Sequence, residues 1–168
     1  MLFFGTGISK NKTIHKTYSY FTKQLKPEFV EIEGLKYYLD DKDSLGLSVS
    51  RTHEKTETEI VKQVVKEGDI VIDVGAHIGY YTLIFAKLVG DLGKVFSFEP
   101  ESENFKILKK NVEINGYNNV ILEQKIVSNT NGKSTLYVSE KAGSHRIYKP
   151  DNYVESLEIE CISMDNYI

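Results

Sequence analysis

The sequence predicts an α/β fold: a parallel sheet with helices on both faces, incomplete, plus an antiparallel hairpin near the C-terminus. Three observations carry that expectation. The β-branched run from Asp69 to Val74 closes on Gly75, as a strand of a parallel sheet does. A stretch that is apolar almost all round follows it as far as Gly90, which suits a helix packed on a sheet. Strand and helix then alternate again with short connections, the mark of right-handed crossovers in a doubly wound sheet.

Each element has its own local reason. Tyr18, Tyr20, Phe21 and Leu25 suggest a short helix ending before Pro27. From Phe29 to Asp40 apolar and polar residues alternate around Glu33-Gly34, so a β-hairpin is expected there. The same alternation over 45–50 predicts a second short strand. Glu54 to Glu67 reads as a helix with Ile60, Val61, Val64 and Val65 as its apolar stripe and Gly68 as its stop. The 70–74 strand is expected to be buried on both faces. Residues 94–100 form the next strand. Glu101 to Asn115 forms a helix carrying Phe105, Leu108 and Val112 inward and Lys106, Lys109 and Lys110 outward, and 119–124 is a third strand. After Ser128 the pattern changes: a turn at 130–133 leads to strands at 134–139 and 154–162, which pair antiparallel, with Cys161 on the inner face beside Leu157 and Ile159. The organisation expected is an extension over 1–53 and a partial ligand-binding domain over 54–168.

Composition narrows the function. A chain of 168 residues with 40% apolar and 27% charged residues suits one globular domain, not a disordered segment or a coiled coil. Twenty-one basic against 24 acidic residues give a net charge of −3, which argues against a nucleic-acid partner. Cys161 is the single cysteine, so neither a disulfide framework nor a multi-thiolate zinc site can form, and no metal-ligand spacing is present. No apolar run approaches the roughly 20 residues of a membrane span, and no signal-peptide pattern opens the chain, so a cytoplasmic location is expected.

Chemistry concentrates in Asp73-Val-Gly75-Ala76-His77-Ile-Gly79, where a strand turns into a helix. Gly75 lets the turn tighten and a ligand approach the backbone, and Gly79 lets the helix start close to the strand. The spacing is D-x-G-x-x-x-G. The dinucleotide pattern G-x-G-x-x-G would need glycine where His77 stands, which argues against an NAD-dependent oxidoreductase. A carboxylate at the strand end repels a pyrophosphate but suits an ammonium or a sulfonium. Glu99 ends the next strand, placed to accept hydrogen bonds from ribose hydroxyls. A nucleoside bearing an amino acid and no phosphate meets both demands, and S-adenosylmethionine is that molecule. His77 reads as shape and backbone contact more than as a general base, since no carboxylate partner is evident in the sequence.

The run IVIDVGAHIGYYT…GKVFSFEPESENFKILKKNVEINGYNNV resembles the FkbM-type family of class I S-adenosylmethionine-dependent methyltransferases, over about residues 54–167. The resemblance implies a Rossmann-like fold, with Asp73, Gly75, Ala76, His77, Gly79 and Tyr80 on the methionine and ribose side of the cofactor. It implies Glu99 on the ribose hydroxyls and Pro100 and Ile126 flanking the adenine. It also implies a small-molecule or glycan acceptor methylated on a sugar or natural-product hydroxyl. The chain stops at Ile168, where that family continues into a fourth core strand, so an apolar sheet edge along 70–74 is expected, open to self-association. The rival reading is a cofactor-binding or interaction module without turnover.

Overall fold

Glu33 and Gly34, with φ of 51° and 80°, close a two-residue turn between β1 (Phe29–Ile32) and β2 (Leu35–Tyr38), which pair antiparallel as expected. The computed structural model describes residues 27–139 and 145–167. The helix expected before Pro27 lies outside them.

Residues 45–50 are not a strand. They form one helical turn, α1 (Leu47–Ser50), because the Asp43 carboxylate accepts the amides of Leu47 (2.9 Å) and Ser48 (3.1 Å), and the Ser48 hydroxyl donates to it too. An N-terminal carboxylate cap thus overrides the alternating pattern. Helix α2 (Lys55–Val64) follows, but only part of its apolar stripe is covered, since Ile60 and Val64 are exposed.

The central sheet is parallel, in the order β3 (Ile70–Val74), β4 (Lys94–Phe98), β5 (Val120–Glu123). Helices α3 (Tyr80–Val89) and α4 (Ser102–Ile114) make the crossovers. β3 is the edge of this sheet. Its expected burial on both faces does not hold: Asp73 is buried, while Ile70 and Val74 are 72% and 57% exposed. A β-branched run buries both faces only with neighbours on every side, and among the described residues β3 has one paired strand.

A second sheet has the order β6 (Ile126–Ser128), β8 (Glu155–Ser163), β7 (Gly132–Val138). The β7–β8 antiparallel pair was legible in the sequence, whereas the parallel β6–β8 pair was not. Ile126, Leu136 and Cys161 form its small core. A turn of 3₁₀ helix, Met164–Asn166, leads to Tyr167, whose ring lies edge-on to Phe96 and Phe98 and whose hydroxyl donates to Glu123 (3.0 Å). This is a class I S-adenosylmethionine methyltransferase-like fold, a parallel sheet with extra antiparallel strands.

The β1–β2 hairpin shares the main core. Val30, Leu35 and Tyr37 are buried with Ile78, Leu83 and Leu108. Asn111 and Asn115 of α4 fasten it: Asn111 exchanges hydrogen bonds with both backbone groups of Tyr38 (2.6 and 3.1 Å), and Asn115 does the same with Lys36 (2.9 and 2.7 Å). Four residues of helix rise about 6 Å, close to the advance of two strand residues. The two amides therefore stand in for a strand neighbour along β2.

Candidate functional site

The glycine loop is built by backbone geometry. Gly75, His77 and Gly79 all have positive φ (78°, 53° and 92°). The amides of Gly75 and Ala76 both donate to the Phe98 carbonyl (2.9 and 3.0 Å), tying the loop to the end of β4. A Cβ on Gly79 would come within 2.7 Å of Leu108 Cδ1, so this glycine lets the loop sit against α4. A Cβ on Gly75 would meet nothing within 4 Å. His77 holds a left-handed conformation that costs a β-carbon residue about 1–2 kcal/mol, the kind of strain that gathers at binding sites.

Glu99 fixes the far side of the loop. Its carboxylate accepts the His77 amide through Oε2 (2.8 Å) and the Glu101 amide through Oε1 (2.9 Å). Burial pushes its pKa above 4.5, with those two amides opposing the rise. The Asn104 side chain also lowers it, and the carboxylate still has lone-pair capacity for a ligand hydroxyl. Asp73 is also buried, with a raised pKa for the same reason, and accepts the Thr82 hydroxyl (2.6 Å).

A cavity of about 680 Å³ opens in front of this arrangement. Of the residues singled out in the sequence, Gly75, His77, Glu99, Pro100 and Ile126 line it. Asp73, Ala76, Gly79 and Tyr80 do not. Asp73 lies behind the loop, and Tyr80 faces a smaller cleft beside α2, its hydroxyl 3.3 Å from those of Thr52 and Thr58.

Further residues complete the lining. Asn104 is 5% exposed, and its side-chain nitrogen has no hydrogen-bond partner in good geometry. His53, His77 and His145 share the cavity wall with Lys125, Arg146 and Lys149. Burial lowers the pKa of His77 below 6.5, Asp40 opposing and the other two imidazoles reinforcing the shift, so it is neutral at pH 7. A carboxylate does stand near His77: its Nε2 lies 3.5 Å from the Ser44 hydroxyl, which donates to Asp40 (2.7 Å). That link spans 33 residues and has no local pattern to announce it.

The chain matches the family model of the TRM5/TYW2 methyltransferase domain over residues 29–147. It belongs to the TRM5/TYW2 methyltransferase domain family. The match takes in the β1–β2 hairpin and helix α2, and it corrects the expected FkbM-type membership. The glycine loop and Glu99 misled because their form answers to the cofactor, which class I families share, and not to the acceptor that divides them.

Among curated proteins, the chain is similar to protein-L-isoaspartate O-methyltransferases. One from Methanococcus maripaludis is 43% identical over 54 residues, 32% of this chain and 26% of that protein. Another from Methanothrix thermoacetophila is 36% identical over 83 residues, 49% of this chain and 36% of that protein. The chain thus spans about a third or less of these relatives. Among solved structures, M. jannaschii TYW2 in complex with AdoMet is 18% identical, with 67% of this chain and 64% of that one covered at a TM-score of 0.45.

For this family the cofactor is S-adenosylmethionine, and the residues present fit it. A buried carboxylate with spare lone pairs stands at the β4 tip, and the open face of Gly75 lies beside it.

Two expectations fall with the FkbM resemblance. The sugar or glycan hydroxyl loses its support, since the relatives are not sugar O-methyltransferases. The exclusion of a nucleic-acid partner is overturned, because TRM5/TYW2 family members act on tRNA. Net charge is a weak ground for that exclusion because it is a sum. Acidic residues pair with lysines across the surface, as Glu158 does with Lys133, while cations gather at one cavity mouth.

Proposed function

We propose that this chain carries the cofactor site of an S-adenosylmethionine-dependent methyltransferase acting on a nucleotide of tRNA. The single observation that carries the reading is the family match over residues 29–147, which takes in most of the residues that line the cavity. In this reading Glu99 accepts hydrogen bonds from the ribose hydroxyls. Gly75 and His77 border the ribose and methionine side, and Pro100 and Ile126 flank the adenine. Asp73, Ala76, Gly79 and Tyr80 act from behind, holding the loop in its left-handed turns.

The cofactor, when bound, supplies an electrophilic methyl on a sulfonium. The chain contributes position and dryness: the loop fixes where the methyl points, and the apolar wall of Ile126, Leu136 and Ile147 keeps water away. A neutral His77 at pH 7 leaves no fixed positive charge beside a sulfonium.

A second reading, methylation of an isoaspartyl carboxylate in proteins, is favoured by the 36–43% identity to the curated relatives. Labelled S-adenosylmethionine with unmodified tRNA transcripts in one arm and an isoaspartyl peptide in the other separates the two. Label in tRNA alone is the expected result. Label in the peptide alone replaces the first reading with the second.

A further inference from the structure

The segment after the 140–144 stretch has a composition that the cofactor site does not use. His145-Arg146-Ile147-Tyr148-Lys149 runs along the cavity mouth, and all five residues line it. It is held in place: the Arg146 amide and carbonyl exchange hydrogen bonds with Tyr137 (3.0 and 2.7 Å), and His145 Nδ1 accepts the Ser139 amide (3.1 Å). Ile147 packs onto the Ile126–Leu136–Cys161 core. With Ile147 turned inward, its neighbours Arg146 and Tyr148 are exposed, as is Lys149.

Tyr148 is 81% exposed, a large ring on the rim of a cavity with nothing stacked on it among the described residues. The Arg146 and Lys149 side chains make no ion pair among the described residues. Lys125, deeper in the cavity, differs, being bound to Glu123 (3.0 Å) and Glu160 (3.6 Å). The mouth therefore presents an open aromatic face with an unneutralised cation on each side of it in sequence. That combination suits single-stranded nucleic acid, in which bases stack on aromatic rings and phosphates meet Arg and Lys. A base must also leave its stack to reach chemistry inside a cavity. An isoaspartyl peptide would use a cation but has no base to lay on the ring.

We propose that Arg146, Tyr148 and Lys149 form the RNA-contacting lip of the site, Tyr148 stacking on an unpaired base and the two cations holding flanking phosphates. This rests on the tRNA reading above and adds the residues that would grip the acceptor. All three side chains point to solvent, so their replacement leaves the fold intact, which thermal unfolding checks.

The test is fluorescence anisotropy of the 168-residue chain with a labelled, unmodified tRNA transcript across a salt series, beside S-adenosylmethionine binding by calorimetry. Tyr148→Ala is expected to weaken RNA binding about tenfold to a hundredfold, and Tyr148→Phe to keep most of it. Arg146→Ala with Lys149→Ala should lower the slope of log affinity against log salt by about 1.5. Cofactor affinity should be unchanged in every variant. If the parent chain binds tRNA and the variants bind it equally well, the lip is refuted and the tRNA reading stands. If the parent binds no tRNA while retaining cofactor, both fail. If the variants lose cofactor as well as RNA, the segment is a wall of the cofactor site and the proposal is overturned.

Discussion

Replacing Asn111 by Ala should be among the most damaging single changes in this chain. Asn111 is fully buried in α4 and makes three hydrogen bonds: it accepts the Tyr38 amide, and it donates to the carbonyls of Tyr38 (3.1 Å) and Ile78 (2.7 Å). One side chain thus ties the β1–β2 hairpin and the glycine loop to the same helix. Alanine leaves the buried Ile78 carbonyl unsatisfied, at about 1–3 kcal/mol. The two Tyr38 groups are half-buried and partly recover with water, so each loses about 1 kcal/mol. The sum is about 3–5 kcal/mol, a large share of the 5–15 kcal/mol that holds a typical domain folded. Asn115→Ala is the internal control. It breaks a matching bidentate contact with Lys36, but in an exposed setting, and should cost about 1–2 kcal/mol. Urea unfolding of both variants beside the parent gives the comparison. Because Ile78 lies inside the glycine loop, Asn111→Ala should also weaken S-adenosylmethionine binding, whereas Asn115→Ala should not. Equal losses near 1 kcal/mol in the two variants, with cofactor binding untouched, would refute the assignment of Asn111 as the link between hairpin and loop.

Three further outcomes are expected. Gly93→Ala places a Cβ 2.5 Å from the Asp69 carbonyl and 2.5 Å from Val89 Cβ; since backbone cannot yield cheaply, it should cost about 1–3 kcal/mol, read as a lowered Tm. Cofactor binding through Glu99 needs the ionised carboxylate, whose pKa burial holds above 4.5. Affinity should be full above that raised value and fall as pH drops through it, while Glu99→Gln binds weakly with a flat profile; a parent profile as flat as the variant's would remove Glu99 from the ribose. The lowered pKa of His77 means the unfolded chain takes up its proton first. Its contribution to stability is therefore present above pH 6.5 and lost as pH falls, so His77→Asn, which tolerates the same left-handed backbone, should lose less stability between pH 7 and 5. Denaturant titrations at the two pH values check this, and parallel losses would count against it.

What the sequence determined by itself is whatever depends on neighbours a few residues apart. The Glu33-Gly34 turn, the strand running into Gly75, the helix stopping before Gly90 and the acid at the β4 tip each follow from local backbone preference and apolar period. The cofactor could be named from Asp73, the glycine spacing and Glu99 for the same reason: the loop and the strand tip it touches are two consecutive units of one repeating pattern. A local failure among the described residues, the helical turn at 47–50, came from a side-chain cap that competes with alternation. Only the tertiary structure decided the rest, because it rests on contacts between distant segments. Asn111 reads as one more polar residue until β2 lies beside it, 73 residues away in sequence. The pairing of β6 with β8 brings residue 126 to residue 161, and the bridge from Tyr137 to Arg146 sets a cationic, aromatic segment in the wall of the cavity that the glycine loop also lines. A net charge of −3 counts every carboxylate equally, but the folded chain pairs many of its acids elsewhere and leaves Arg146 and Lys149 without an ion pair, and Tyr148 without a ring contact, among the described residues at the mouth of its cavity.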